Sequence, residues 1–220
     1  NERTLRFRTS AFDLKINPRT GLIDHLSLPG SKKSLVGKGA LQPVYWADLD
    51  HSWTHGSPRR AKSHQIGSVS PGLDKRPSER FRLAKAAEVA QLSPPAADKW
   101  FNNKKTAAQA VRISESGPLC TIVEVVLVCG PSAVVRQYVI GHAGRLEIRD
   151  RIFNNHRDSL LKLLTPLNFA ADKSVAETLY SAAPRQPTVN HVDCTNQRWV
   201  AVCGKDRDKK VHLAIVNTGS

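Results

Sequence analysis

Residues 120–153, CTIVEVVLVCGPSAVVRQYVIGHAGRLEIRDRIF, constrain the fold more than any other part of the chain. CTIVEVVLVCG is apolar on both faces apart from Glu124, which suits a central strand covered on both sides. AVVRQYVIG and GRLEIRDRIFNN follow as a hairpin across Gly141 and Gly144. In RLEIRDRIF, Leu146, Ile148, Asp150 and Ile152 share one face, while Arg145, Glu147, Arg149 and Arg151 share the other. An aspartate in register with an apolar stripe must be paired or must line a cavity. An arginine of a neighbouring strand is the simpler partner for Asp150.

The same period of two recurs elsewhere. TLRFRT alternates Leu5 and Phe7 with Arg6 and Arg8. AFDLKINPRTGLIDHLSLPG reads as strand, turn, strand, with Pro18-Arg19-Thr20-Gly21 as the turn and Gly21 free to take a positive φ. SLLKLLTPLNF, RWVAVCG and VHLAIVN add further strands. Helical periodicity is confined to SERFRLAKAAEVAQL, where Phe81, Leu83 and Val89 also fit a strand. Repeated strands punctuated by Gly, Pro and Asn predict an all-β chain, a large antiparallel β-sandwich. No internal repeat divides it, so one domain over 1–220 is expected, interrupted by a basic loop near 57–110.

Charge raises a different partner. The chain carries 33 basic and 19 acidic residues, a net charge of +14, which is the electrostatic signature of nucleic-acid binders. Half of that excess falls in 57–105, among SPRR, SVSPG, KRPSER and SPPAADK. That is turn chemistry, with neither an RGG repeat nor an aromatic-rich basic strand, so a solvated loop is the better reading. No apolar run approaches the roughly 20 residues of a membrane-spanning helix. The N-terminus NERTLRFRTS has no signal-peptide core, and the chain contains no methionine, so it reads as an excised piece of a longer protein. The cysteines pair in sequence as Cys120/Cys129 and Cys194/Cys203, an odd separation that points each pair to opposite strand faces. Thiols rather than disulfides are expected, and with them a reducing, cytoplasmic setting.

The densest group of reactive side chains is DLDHSWTHG, residues 48–56. His51 and His55 would share a face as metal ligands only on a helix, which Pro43, Gly56 and Pro58 argue against. A histidine acid would need a carboxylate base across a bound sugar, and Asp150 or Glu124 are the candidates. As a sugar-edge loop, Trp53 stacks on a pyranose face while Asp50 and His55 bind hydroxyls. Alternatively, Trp53 plugs the end of the sandwich. These last two readings stand level.

The order of these features resembles the C-terminal region of glycoside hydrolase family 38, the α-mannosidases. FDLKINPRTGLIDHLSLPGSKKSLV resembles the first hairpin of the galactose-mutarotase-like sandwich. DHSWTHG resembles a tryptophan–x–histidine–glycine stretch of bacterial members, with His51 standing where their aspartate usually does. GPLCTIVEVVLV and GRLEIRDRIFNNHRDSLLKLLTPLNF follow in the family's order, with Asn154, Asp158, Leu160, Lys162 and Pro166 at matching positions and Ser159 replacing a histidine. QRWVAVCG and VHLAIVNTGS are similar to its closing strands.

That resemblance implies a galactose-mutarotase-like supersandwich supporting a catalytic domain and lining part of its carbohydrate cleft. Asp50, His51, Trp53, His55 and Asp150 are the candidate contacts to an α-mannoside. Zinc and the aspartate nucleophile would belong to a preceding α/β domain, so this chain would carry no catalytic residue and no metal, and alone would be inactive. The alternatives are a stand-alone carbohydrate-binding or aldose-epimerase-like protein and, from another class, a basic nucleic-acid-binding domain.

Overall fold

The computed structural model describes residues 4–47, 79–92, 109–156, 159–178, 181–185, 198–206 and 209–217. Among them the chain is all-β, with antiparallel sheets in the manner of a β-sandwich and a single short helix. They fall into two compact units, Asn1–Tyr45 with Ser78–Pro166, and Trp46–Pro77 with Leu167–Ser220.

The first unit is organised around β8 (Cys120–Cys129), β9 (Ser132–Gly141) and β10 (Arg145–Phe153). The ladders run without a slip from Cys120↔Gly141 to Cys129↔Ser132, and from Arg145↔Gly141 to Phe153↔Ala133. The expected hairpin across Gly141 and Gly144 therefore forms. On its other edge β8 pairs with two strands in turn, β7 (Val111–Ser116) along Thr121–Val125 and β6 (Arg82–Leu83) at Leu127–Val128. The two-sided apolar pattern thus marks a central strand. Val123, Val125 and Leu127 are wholly buried on one face, and full burial of each such side chain contributes roughly 1.5–3 kcal/mol. On the other face Val126 and Val128 pack with Ala133 against Ala84 and Val89 of the segment that carries the helix.

That helix, α1 (Ala86–Leu92), lies inside the span 57–110 expected as a basic loop. Residues 79–92 of that span instead form β5 (Glu79–Arg80), β6 and α1, because Phe81, Ala84 and Val89 supply a buried apolar side to an otherwise charged segment. Of the three residues of SERFRLAKAAEVAQL that also fit a strand, Leu83 lies in β6, Phe81 between β5 and β6, and Val89 in the helix. Glu88, in the first turn, accepts the Lys85 backbone N–H at 2.7 Å and so caps the helix start.

β1 (Leu5–Arg8), β2 (Asp13–Ile16) and β3 (Ile23–Ser27) make a three-stranded sheet. The turn after β2 needs Gly21 on two counts. Its φ is +71°, and a Cβ there would stand 2.2 Å from Val125 Cγ1 of β8. The turn also docks through Tyr138, whose hydroxyl donates to the Gly21 carbonyl at 3.0 Å. A third sheet sets β4 (Gln42–Ala47) between β11 (Ser159–Leu164) and β5, with Tyr45 opposite Glu79.

The second unit, where described, is one antiparallel sheet in the order β13 (Ser181–Arg185), β12 (Ala170–Thr178), β14 (Trp199–Asp206), β15 (Lys209–Val216). The closing strands pair without a slip from Trp199↔Val216 to Asp206↔Lys209. Among the described residues no helix is long and apolar enough to cross a membrane. Cys120, Cys129 and Cys203 are thiols, and Cys194 lies outside the described residues.

Candidate functional site

Asp50, His51, Trp53 and His55 lie outside the described residues; β4 leads into that stretch and ends at Ala47. Asp150 is described, and its environment is set by the ladder that puts it opposite Arg136. Arg136 Nε donates to Oδ1 at 2.8 Å and Nη2 to Oδ2 at 2.7 Å, a two-point fork. Nη1 donates to the Leu41 carbonyl at 2.6 Å. Burial opposes the charge on Arg136, but the hydrogen bonds and charge of Asp150 outweigh it and raise the guanidinium pKa. Asp150 therefore answers a buried cation from the neighbouring strand, the pairing that its position on an apolar stripe calls for. Glu124 is likewise engaged, by Arg112 Nε at 2.9 Å and Gln137 Nε2 at 3.1 Å.

A different group of reactive side chains converges in the first unit. Cys129 closes β8, Glu79 opens β5, and His156 lies just beyond β10. The lone-pair atoms of Glu79, Cys129 and His156 lie within 4.8 Å of one another. Their common point is one carboxylate oxygen. Cys129 Sγ donates to Glu79 Oε2 at 3.4 Å, and His156 Nε2 is 3.4 Å from the same atom.

The surroundings fix the imidazole. His156 Nδ1 is 3.1 Å from Ser132 Oγ, which also accepts the Asn155 backbone N–H at 2.9 Å. Asn154 Oδ1 accepts both the Tyr45 hydroxyl, at 2.8 Å, and the His156 backbone N–H, at 3.2 Å. The Tyr45 ring packs on the imidazole with centroids 4.5 Å apart. Gly130 completes the seat. It takes φ +51° in the β8–β9 turn, and a Cβ there would come within 3.0 Å of His156 Cε1.

The electrostatics decide what the group does as it stands. Burial, then the hydrogen bond and charge of Glu79, push the Cys129 thiol up to about 11. A raised thiol pKa disfavours the nucleophilic thiolate, and the Cys129 S–H donates to Glu79 rather than to the imidazole base that a thiolate triad uses. What the group offers is one sulfur, one nitrogen and one oxygen donor converging on a point. Cys129 is buried, while the Glu79 side chain is 61% exposed, so the group opens to solvent on one side.

Short-range spacing gives no sign of this site, since Glu79 and Cys129 stand 50 residues apart. A sequence signal exists only through register. Continuing the β9–β10 ladder past Ala133↔Phe153 carries His156 to the Gly130 turn, beside Cys129. Glu79 carries no comparable signal, because β5 is two residues long. Set against known proteins, the chain matches no family model and no curated protein.

Proposed function

We propose that the chain is the C-terminal β-sandwich region of an α-mannosidase-like glycoside hydrolase. It supports the catalytic domain and forms part of the carbohydrate cleft. The observation that carries this reading is the placement of the quoted motifs. FDLKINPRTGLIDHL lies on the β2–β3 hairpin, TIVEVVLV on the central strand β8, RLEIRDRIF on β10, SLLKLL on β11, and RWVAVCG with VHLAIVN on the paired β14 and β15. A resemblance resting on motif order thus meets described residues that are all-β, in which each of these motifs is a strand or hairpin. In this role the side chains toward an α-mannoside come from DLDHSWTHG, which follows β4. Asp150 contributes by holding Arg136 in the sheet.

Hydrolysis of a glycoside requires two carboxyl groups flanking the scissile bond. In this reading they belong to a preceding α/β domain that carries the nucleophile and a zinc ion. An aryl α-mannoside assay with added zinc, run on this chain and on the longer protein containing it, tests the division of labour. The longer protein should turn over and the chain should not. Turnover by the purified chain that disappears on mutating one of its own residues would overturn the assignment. So would a longer protein with no such α/β domain upstream of Asn1.

A further inference from the structure

We propose that Glu79, Cys129 and His156 form a binding site for a zinc-class divalent cation, with one thiolate, one imidazole and one carboxylate ligand and solvent in the fourth position. It is separate from the zinc assigned above to a preceding domain.

Two of the three ligand separations already match the ion, and the third lies within 4.8 Å. Tetrahedral zinc with ordinary bond lengths separates a sulfur and an oxygen ligand by about 3.6 Å, and a nitrogen and an oxygen by about 3.4 Å. Both distances to Glu79 Oε2, from Cys129 Sγ and from His156 Nε2, are 3.4 Å. The donor set selects the metal. A thiolate with an imidazole suits zinc and its borderline-soft neighbours, whereas magnesium and calcium require oxygen ligands. His156 is oriented as metal-binding histidines are, with the other ring nitrogen held by a hydrogen-bonding partner, here Ser132 Oγ at 3.1 Å. Tyr45, Asn154 and Gly130 hold the ring from the remaining sides. Such support is what a ligand position requires and more than a surface histidine needs. On binding, the Cys129 S–H bond breaks, sulfur keeps the electron pair as it bonds to the metal, and the proton leaves to buffer. The exposed carboxylate leaves an approach for the ion and a coordination position for water.

Titration of the full chain with zinc against a chromophoric chelator, and with cobalt(II) followed by absorption, tests the site. The expected result is saturable binding at this site, with a thiolate-to-cobalt charge-transfer band that magnesium does not compete away. Cys129→Ser should abolish that band. Glu79→Gln, a substitution at an exposed side chain that leaves the core intact, should weaken zinc binding by at least about tenfold. Ser132→Ala, through the orientation of His156, should weaken it about 10–100-fold. Failure to bind zinc, a cobalt complex without the charge-transfer band, or unchanged affinity in Glu79→Gln and Cys129→Ser would each overturn the proposal. The last result would place the metal on other histidines of the chain.

Discussion

Arg136, wholly shielded from solvent, closes a two-point fork on Asp150 directly across the β9–β10 ladder. The third arm of the guanidinium reaches the carbonyl of Leu41, a residue held at φ +61°. One cation thus joins two strands and the β4 approach. Asp150→Ala leaves that cation buried without its counter-charge, and breaking a buried pair in this way costs about 3–5 kcal/mol. Urea denaturation of Asp150→Ala should show a loss of that size. A loss below about 1 kcal/mol, typical of an exposed pair, would mean that Asp150 is not the partner on which Arg136 depends.

Gly21 gives a second test of how the first unit is packed. An alanine there takes on a left-handed φ at about 1–2 kcal/mol and an overpacked contact with Val125 at about 1–3 kcal/mol. Gly21→Ala should lose both by chemical denaturation. Combining it with Val125→Ala should recover only the contact part, so that the two changes are less than additive. Strict additivity would show that the turn does not bear on β8.

The acid limb of stability carries a signature from Glu88. The forked hydrogen bonds from Arg82, at 2.9 and 2.7 Å, and then the Lys85 backbone N–H lower its pKa from 4.5 to about 2. A carboxylate whose folded pKa is depressed binds more protons when unfolded, so stability rises with pH across the window between the two values. The contribution of Glu88 is present above about pH 4.5 and is lost as pH falls toward about 2. The Glu88 side chain is half-buried at the surface and its partner Arg82 is exposed, so the effect is also screened by salt. Glu88→Gln retains a capping side chain. It should therefore be less stable than the native chain near neutrality and equal to it at the bottom of the window. A difference that persists unchanged at the acid end would assign the effect to packing rather than to charge.

How far the fold could be read from the residues follows from which strands have a side to bury. β8 announces itself because Val123, Val125, Val126, Leu127 and Val128 are apolar whichever face they take. The β9–β10 hairpin follows because its glycines fix the turn. β7 and β12 do not read as strands. VRISES is mostly exposed along an edge pairing, and AADKSVAET buries only Ala176, so neither carries a period of two strong enough to see. The Arg136–Asp150 pair is half legible, since an aspartate on an apolar stripe demands a partner without naming it. The Glu79–Cys129–His156 group is the least legible. Its members come from a strand end, a two-residue strand and a segment after a hairpin, and only the sheet pairings bring them together.

Trp53 separates the two roles left open for DLDHSWTHG. If Trp53 stacks on a sugar at the rim of the cleft, Trp53→Ala removes an aromatic face from the ligand and little from the core. Binding of α-mannosides, or turnover by the longer protein, should then fall sharply while thermal denaturation changes little. If Trp53 plugs the sandwich, the same substitution removes a buried aromatic, which costs about 3–5 kcal/mol and lowers the melting temperature visibly. Asp50→Ala and His55→Ala extend the test, since they delete hydroxyl-binding groups without removing apolar volume. The cleft reading expects all three variants to lose affinity at near-native stability. A large loss of stability in Trp53→Ala, with sugar affinity unchanged in Asp50→Ala and His55→Ala, would make the tryptophan a packing residue and remove this stretch from the carbohydrate site.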